Sequence, residues 1–373
     1  MRIGILTFWK TEDNYGQVLQ CYALQAYLQS LGHDTFLVRA SSGLERKPSF
    51  KEQFVDKMRT AYRLRSFPLY LMKNAFRFGL YFLLHGEFRE HQINRGFDDF
   101  RKRYLNCTEI YTLQMLQDNP PEADMFIVGS DQIWNTTDGV YFLSWASESV
   151  GKIAYAASFG ARSSTPEFCA LISPWLKRFD HVSVREQSGL SICQDAGRGD
   201  AICLPDPTLL LHADDYKRIM ADYRPQKKYL LTYFLGTRTA IDWNEIHRFA
   251  KKNHLEVVYI ASQGQVDKFD HTNASVEEWL SLVAHAEYVV TNSFHGTVFS
   301  LLFGRKFMIY PVHGPLANMN DRIITLLTPL GLQDRIYKGR LDGICEDIEY
   351  SIVHSKMNSA AEQARTLLKI WAA

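Results

Sequence analysis

The chain has 373 residues, more than one ordinary core holds, and so points to two domains with a sizeable hydrophobic interior. Hydrophobic residues at 46% and charged residues at 22% are ordinary for a globular protein, and a net charge of +1 excludes the basic signature of a nucleic-acid binder. Six scattered cysteines form no Cys-x-x-Cys pair and have no His at metal spacing, which gives no sign of a metal site and fits reduced thiols.

Met1 to Phe8 enter a strand directly, without the basic and apolar regions of a signal peptide, so the expected location is the cytoplasm. Residues 2–8 read as a buried strand, 13–28 as a helix after a polar turn, and 35–39 as a second strand. This is the β-α-β start of a Rossmann-like layer, but its turn is not G-x-G-x-x-G, so no dinucleotide is implied. Asn14 and Gly16 stand at the strand end, where they can face a ligand; helix capping is an equal reading for Asn14.

From Arg46 to Arg103 the composition changes. This span carries 14 Lys/Arg and 6 Asp/Glu, a local charge of +8, with aromatic residues interleaved throughout. It reads as a helical insertion that either packs its aromatics on the first domain or rests as a basic amphipathic surface on anionic lipid. Its apolar run Leu69 to Leu84 is broken by Lys73 and Arg77, and is too short for a span of about 20 apolar residues.

The parallel pattern then resumes. Met125 to Val128 is a strand followed by the polar loop 129–135, which carries Ser130 and Asp131. Further strands are expected at 152–158, 181–184 and 201–204, with a helix at 173–178. Arg185 follows the third of these four strands, where a fixed cation can grip a phosphate or carboxylate bidentately, or pair at the surface with Glu186 or another carboxylate. The polar, Pro-containing stretch 214–228 reads as a boundary, giving an N-terminal domain at 1–213 and a second at 229–346. The second half alternates strand 229–234, helix 242–253, strand 256–260 and helix 276–285, and the tail 347–373 reads as a helix crossing back to the first domain.

Residues 287–310 complete the alternation as strand, turn, helix, strand. The turn presents Ser293, His295, Gly296 and Thr297 at a helix N-terminus, where free N–H groups and the helix dipole suit an anion. His295 is the side chain there that can move a proton near neutral pH, and Gly296 would let a ligand approach the backbone closely.

In these pieces the sequence resembles the polysaccharide pyruvyl transferase family. The resemblance runs through Asp13-Asn-Tyr-Gly16 with Val18-Leu-Gln20, Phe126-Ile-Val-Gly-Ser-Asp-Gln132, Tyr155-Ala-Ala-Ser-Phe-Gly160, Ser183-Val-Arg-Glu186, Asp206-Pro-Thr-Leu-Leu-Leu211, Ser293-Phe-His-Gly296 and Leu330-Gly-Leu-Gln-Asp-Arg335. It implies an α/β fold of two Rossmann-like doubly wound domains facing a cleft, similar to GT-B glycosyltransferases. The implied activity is transfer of a pyruvyl group from phosphoenolpyruvate to two hydroxyls of a sugar, in a surface polysaccharide or its lipid-linked precursor. Arg185 matches the family's phosphoenolpyruvate-gripping Arg and His295 its catalytic His. Where some branches carry an Arg two positions before the His, this chain has Ser293, so a second cation must come from elsewhere, with Arg322 and Arg305 as candidates. Asp131 and Asp206 are candidate bases. The donor is a substrate, and neither a metal nor any other cofactor is required. A glycosyltransferase using a nucleotide-sugar donor and a non-catalytic glycan-assembly protein at the membrane are the rival readings.

Overall fold

The computed structural model describes residues 1–11, 13–41, 94–236, 241–262, 269–313 and 320–373. Arg59, Arg63, Arg65, Lys73, Arg77 and most of the expected insertion therefore lie outside the described residues. Residues 1–40 and 95–373 form one compact unit that contains two sheets.

The first sheet has seven strands: β1 (Arg2–Leu6), β2 (Asp34–Ser41), β3 (Cys107–Thr112), β4 (Met125–Val128), β5 (Gly151–Ala157), β6 (His181–Val184) and β7 (Ile202–Cys203). Their spatial order is β3-β2-β1-β4-β5-β6-β7, and β1 pairs in parallel with both β2 and β4. The second sheet is β8 (Tyr229–Phe234), β9 (Glu256–Ala261), β10 (Tyr288–Thr291) and β11 (Lys306–Ile309), in the order β11-β10-β8-β9, with parallel pairing throughout. Both orders reverse direction, at β1/β4 and at β8/β10, which is the doubly wound α/β arrangement expected from the sequence. The strands read as continuous apolar runs because helices cover both faces; all six residues of β8 are buried.

Three elements differ from expectation. Strand β3 has no apolar run because it is an edge strand, with no residue of Cys107–Thr112 buried. The helix expected at 173–178 runs over Pro166–Leu176, since Thr165 caps it by accepting from the Phe168 N–H and Pro166 suits its first turn. The expected boundary at 214–228 begins with a helix, Ala213–Ile219, whose start is secured by a reciprocal cap between His212 and Asp215. Its Tyr216 is fully buried, edge-on to Phe299 at 4.8 Å.

The two sheets share a core. Tyr15, on the helix Tyr15–Ser30, stacks on Trp279 at 5.2 Å and 6°, and its hydroxyl donates to the Ala274 carbonyl at 2.8 Å. Trp279 is fully buried, so truncating it to Ala would cost about 3–5 kcal/mol. The last helix, Tyr350–Trp371, stacks Trp371 on His181 at 4.8 Å, accepts a hydrogen bond from Tyr27 at the Arg365 carbonyl, and donates from Arg365 Nε to the Leu210 carbonyl. Among the described residues, no helix is long and apolar enough to cross a membrane.

Candidate functional site

Parallel strands deliver their following residues to one edge of the sheet, so β1, β4 and β6 of the first sheet and β10 of the second each end in a polar segment. The segment after β6 begins with Arg185, which is 3% exposed. Its Nη1 donates to Asp206 Oδ2 at 2.6 Å, and its Nη2 lies 3.6 Å from Asp131 Oδ1. Asp206 sits just before the single turn Pro207–Leu209, where its Oδ1 accepts from the Thr208 N–H at 3.0 Å and the Thr208 hydroxyl at 2.7 Å. The Ser130 hydroxyl adds a fourth donor, 3.1 Å from Asp206 Oδ2. His295 brings its Nε2 to 3.5 Å from the same Oδ2.

The carboxylates respond to these neighbours. Burial alone would raise the Asp206 carboxyl; the facing His295, then Arg185 and the Thr208 N–H, overcome it and hold the group well below the usual carboxylate range. Asp131 follows the same logic, with burial opposed by Arg185, His295 and a hydrogen bond from Gln17 Nε2 at 2.9 Å. Asp131 takes φ 60, a left-handed conformation uncommon for a residue with a side chain.

Two guanidinium groups converge on one ring. Arg185 Cζ lies 4.7 Å from the centroid of Phe294, and Arg322 Cζ lies 5.8 Å from it. Arg322 is 8% exposed, and burial together with the neighbouring Arg185 lowers it to about 10, so it stays charged at neutral pH. Arg185 Nε and Nη2, Arg322 Nε and His295 Nε2 are buried without a hydrogen-bond partner. Unpaired donors of this kind are costly unless something accepts from them. Of the two arginines considered as a second cation, Arg322 shares the Phe294 ring with Arg185, whereas Arg305 is occupied by the Phe303 carbonyl at 2.9 Å and the Ala286 carbonyl at 3.5 Å.

Several candidates from the sequence hold the site together instead of lining it. Asn14 caps its helix, accepting from the Gln17 N–H at 3.2 Å. Ser130 spends its hydroxyl on the Ala156 carbonyl and Asp206. Ser293 accepts from the Gly296 N–H at 3.2 Å and, through its carbonyl, from the Thr297 N–H at 3.0 Å, so those two N–H groups are not free for an anion as expected. The Thr297 hydroxyl also donates to the Ser293 carbonyl. The bare face of Gly296 meets Thr291, with an added Cβ only 2.6 Å from Thr291 Oγ1, and not a ligand. Arg185 is not in a surface ion pair with Glu186. Glu186 instead turns inward, and its Oε1 accepts from the Ser158 hydroxyl and the Phe159 and Gly160 N–H groups.

Sequence reasoning passed over Gln17, Gln20 and Phe294. Gln20 Oε1 accepts from the Ser130 N–H at 3.1 Å, fixing the loop that carries Asp131. Its signal was available: an uncharged polar side chain flanked by Leu19 and Cys21 on the buried face of the helix. Among the described residues, no group of three or more His, Cys, Asp or Glu side chains is placed to hold a metal ion.

Asp206→Asn tests the electrostatics directly. A carboxyl whose folded value is depressed stabilises the protein above its unfolded value near 4, and this contribution is lost as pH falls through the folded value. The variant should lose about 3–5 kcal/mol at neutral pH, because a buried ion pair is broken, and its stability should fall less steeply below about pH 4. Chemical denaturation across a pH series measures both, and an unchanged acid slope would count against the assignment.

A family model described as polysaccharide pyruvyl transferase matches residues 14–314. No curated protein matches the chain. Among solved structures, a UDP-GlcNAc 2-epimerase from Neisseria meningitidis bound to UDP-GlcNAc is similar at 8% identity and TM-score 0.45, over 100% of this chain and 99% of that one. A glycosyltransferase from a Streptomyces species, complexed with thymidine diphosphate, is similar at 12% identity and TM-score 0.44, over 99% of each chain. The ADP-heptose heptosyltransferase II of E. coli is similar at 10% identity and TM-score 0.38, over 97% of this chain and 99% of that one.

Proposed function

We propose a function from one premise: the chain belongs to the polysaccharide pyruvyl transferase family. It transfers a pyruvyl group from phosphoenolpyruvate to two hydroxyls of one sugar, in a surface polysaccharide or its lipid-linked precursor, and releases phosphate. The observation that carries this reading is the pair of buried guanidinium groups, Arg185 and Arg322, with unpaired N–H groups beside His295. Two such cations suit a donor that carries both a phosphate and a carboxylate.

The chemistry then assigns roles. His295 gives a proton to the methylene carbon of phosphoenolpyruvate, which becomes a methyl group, and the adjacent carbon takes on oxocarbenium character. A sugar hydroxyl adds to that carbon and loses its proton to a base. Phosphate departs with the C–O electron pair, stabilised by Arg185 and Arg322. The second hydroxyl adds in its place and closes the ketal, its proton returning to His295 while the base passes its own to the departing phosphate, so the overall sum is donor plus diol giving ketal plus phosphate, with no change of oxidation state. Asp131 suits the base better than Asp206, whose two oxygens are engaged by Arg185, Ser130 and Thr208. The reaction as written balances without a metal or a redox cofactor.

Phosphate release from phosphoenolpyruvate in the presence of an acceptor glycan, with the ketal identified by mass spectrometry, tests the reading. Turnover of UDP- or GDP-sugars with phosphoenolpyruvate left untouched would overturn it in favour of an ordinary glycosyltransferase.

The proposal extends to the place of work. A lipid-linked acceptor and a segment of local charge +8 between Arg46 and Arg103 favour peripheral contact with the cytoplasmic face of an anionic membrane, at about 1 kcal/mol per basic residue near the surface. The protein should float with anionic but not with neutral liposomes. Replacing Arg59, Arg63, Arg65, Lys73 and Arg77 by Gln should abolish flotation and spare turnover of a soluble acceptor. Equal flotation with both liposome types would remove the membrane from the picture.

A further inference from the structure

The helix Tyr15–Ser30 belongs to the first sheet's layer and His295 to the second's, yet their packing leaves no room for a side chain at Gly16. A Cβ built on Gly16 would lie 2.0 Å from His295 Cγ, 2.1 Å from Nδ1 and 2.2 Å from its Cβ. No real Cβ contact is that short, and two of these atoms belong to the base of the imidazole, so a rotamer change at the ring's tip cannot relieve the clash. Gly16 is itself buried, and His295 is 4% exposed.

The residues around Gly16 fix the helix end. Asn14 caps it, the Tyr15 ring is stacked on Trp279, and Gln17 is held by Asp131. The helix therefore cannot back away without disturbing the interface between the sheets and the Asp131 loop. His295, on its opposite side, faces Asp206 through Nε2 at 3.5 Å. The imidazole is thus clamped between the bare Cα of Gly16 and the Asp206 carboxylate.

We infer that Gly16 is a positioning residue for His295: its missing side chain defines where the imidazole sits, and it does so only when the two sheets are packed together. This deepens the proposed function, in which His295 is the proton donor. Gly16 does not act as the ligand-facing residue that its place at a strand end suggests.

The test is a mutant cycle. Gly16→Ala should lower phosphate release by about 10²-fold, the penalty of misplacing a reacting group by about 1 Å, while phosphoenolpyruvate affinity measured by calorimetry stays within about threefold. It should also lower the denaturant midpoint in the parent protein but not in the His295→Gly background, where the Cβ, Cγ and Nδ1 that the added methyl group would meet are all absent. The Gly16→Ala variant in that background is the control that must fold. Near-normal turnover of a folded Gly16→Ala protein would overturn the inference, as would an equal loss of stability in both backgrounds. The stability half of the cycle reads the packing alone, so it stands or falls apart from the pyruvyl transfer reading, which fails only if the parent protein releases no phosphate.

Discussion

Replacing His295 by alanine should lower turnover by about 10²- to 10⁴-fold, the range for loss of a general acid. In the proposed reaction the donor's methylene carbon is a weak base, and nothing starts until a proton is delivered to it. The other proton-bearing groups facing the site are guanidinium groups, and at about 10 for Arg322 these are poor acids near neutral pH. Folding should survive, because the polar neighbour that His295 Nε2 faces at 3.5 Å, Asp206, keeps Arg185, Ser130 and Thr208. Phosphoenolpyruvate affinity should change little, since an interaction made in the transition state lowers kcat and kcat/KM together. His295→Gln, close in size but unable to donate a proton as an acid, should behave like the alanine variant. A folded His295→Ala protein with near-normal turnover would remove His295 from the mechanism.

Arg185→Lys should be nearly as damaging, but through binding. In the proposed site the guanidinium performs two tasks at once: Nη1 is spent on Asp206, with Nη2 3.6 Å from Asp131, and Nε is left for the donor's anionic group. A lysine ammonium is a point donor that can serve Asp206 or the anion, not both in the same geometry. Each charge-assisted hydrogen bond is worth about 1.5–3 kcal/mol, so losing one weakens phosphoenolpyruvate binding by roughly tenfold or more. Calorimetry measures this. The charge toward Asp206 is retained, so the variant should fold; unchanged affinity would reduce Arg185 to a partner of Asp206.

What could be read in the sequence follows from burial. Parallel strands covered on both faces must be apolar throughout, so β1, β4, β8 and β10 announce themselves as short hydrophobic runs, and a polar segment directly after a strand, as after β4, β6 and β10, marks the ligand edge of the sheet. Arg185 and His295 stand out for that reason. Strand β3, exposed at an edge, has no such pattern. The partners of those residues were hidden, because Asp206 meets His295 and Gly16 meets His295 through packing between segments far apart in the chain, and no local spacing encodes such a meeting. The Ser293-Phe-His-Gly296 turn was legible as a helix start, but not the use of its N–H groups. A serine at that position caps the helix itself.

The last helix, Tyr350–Trp371, has a consequence for how the protein is made. It packs on the helix Tyr15–Ser30 through Tyr27 and on β6 through His181, and a single hydrophobic cluster includes both Ile3 and Ala372. During synthesis the first sheet emerges long before the surface that covers it. The nascent chain must therefore hold exposed apolar faces until that helix has been made, which lengthens its exposure to chaperones and to aggregation. Expression of the first half alone should give a chaperone-bound or insoluble product, and His295 can meet Gly16 only once the second sheet has been made and packed on the first.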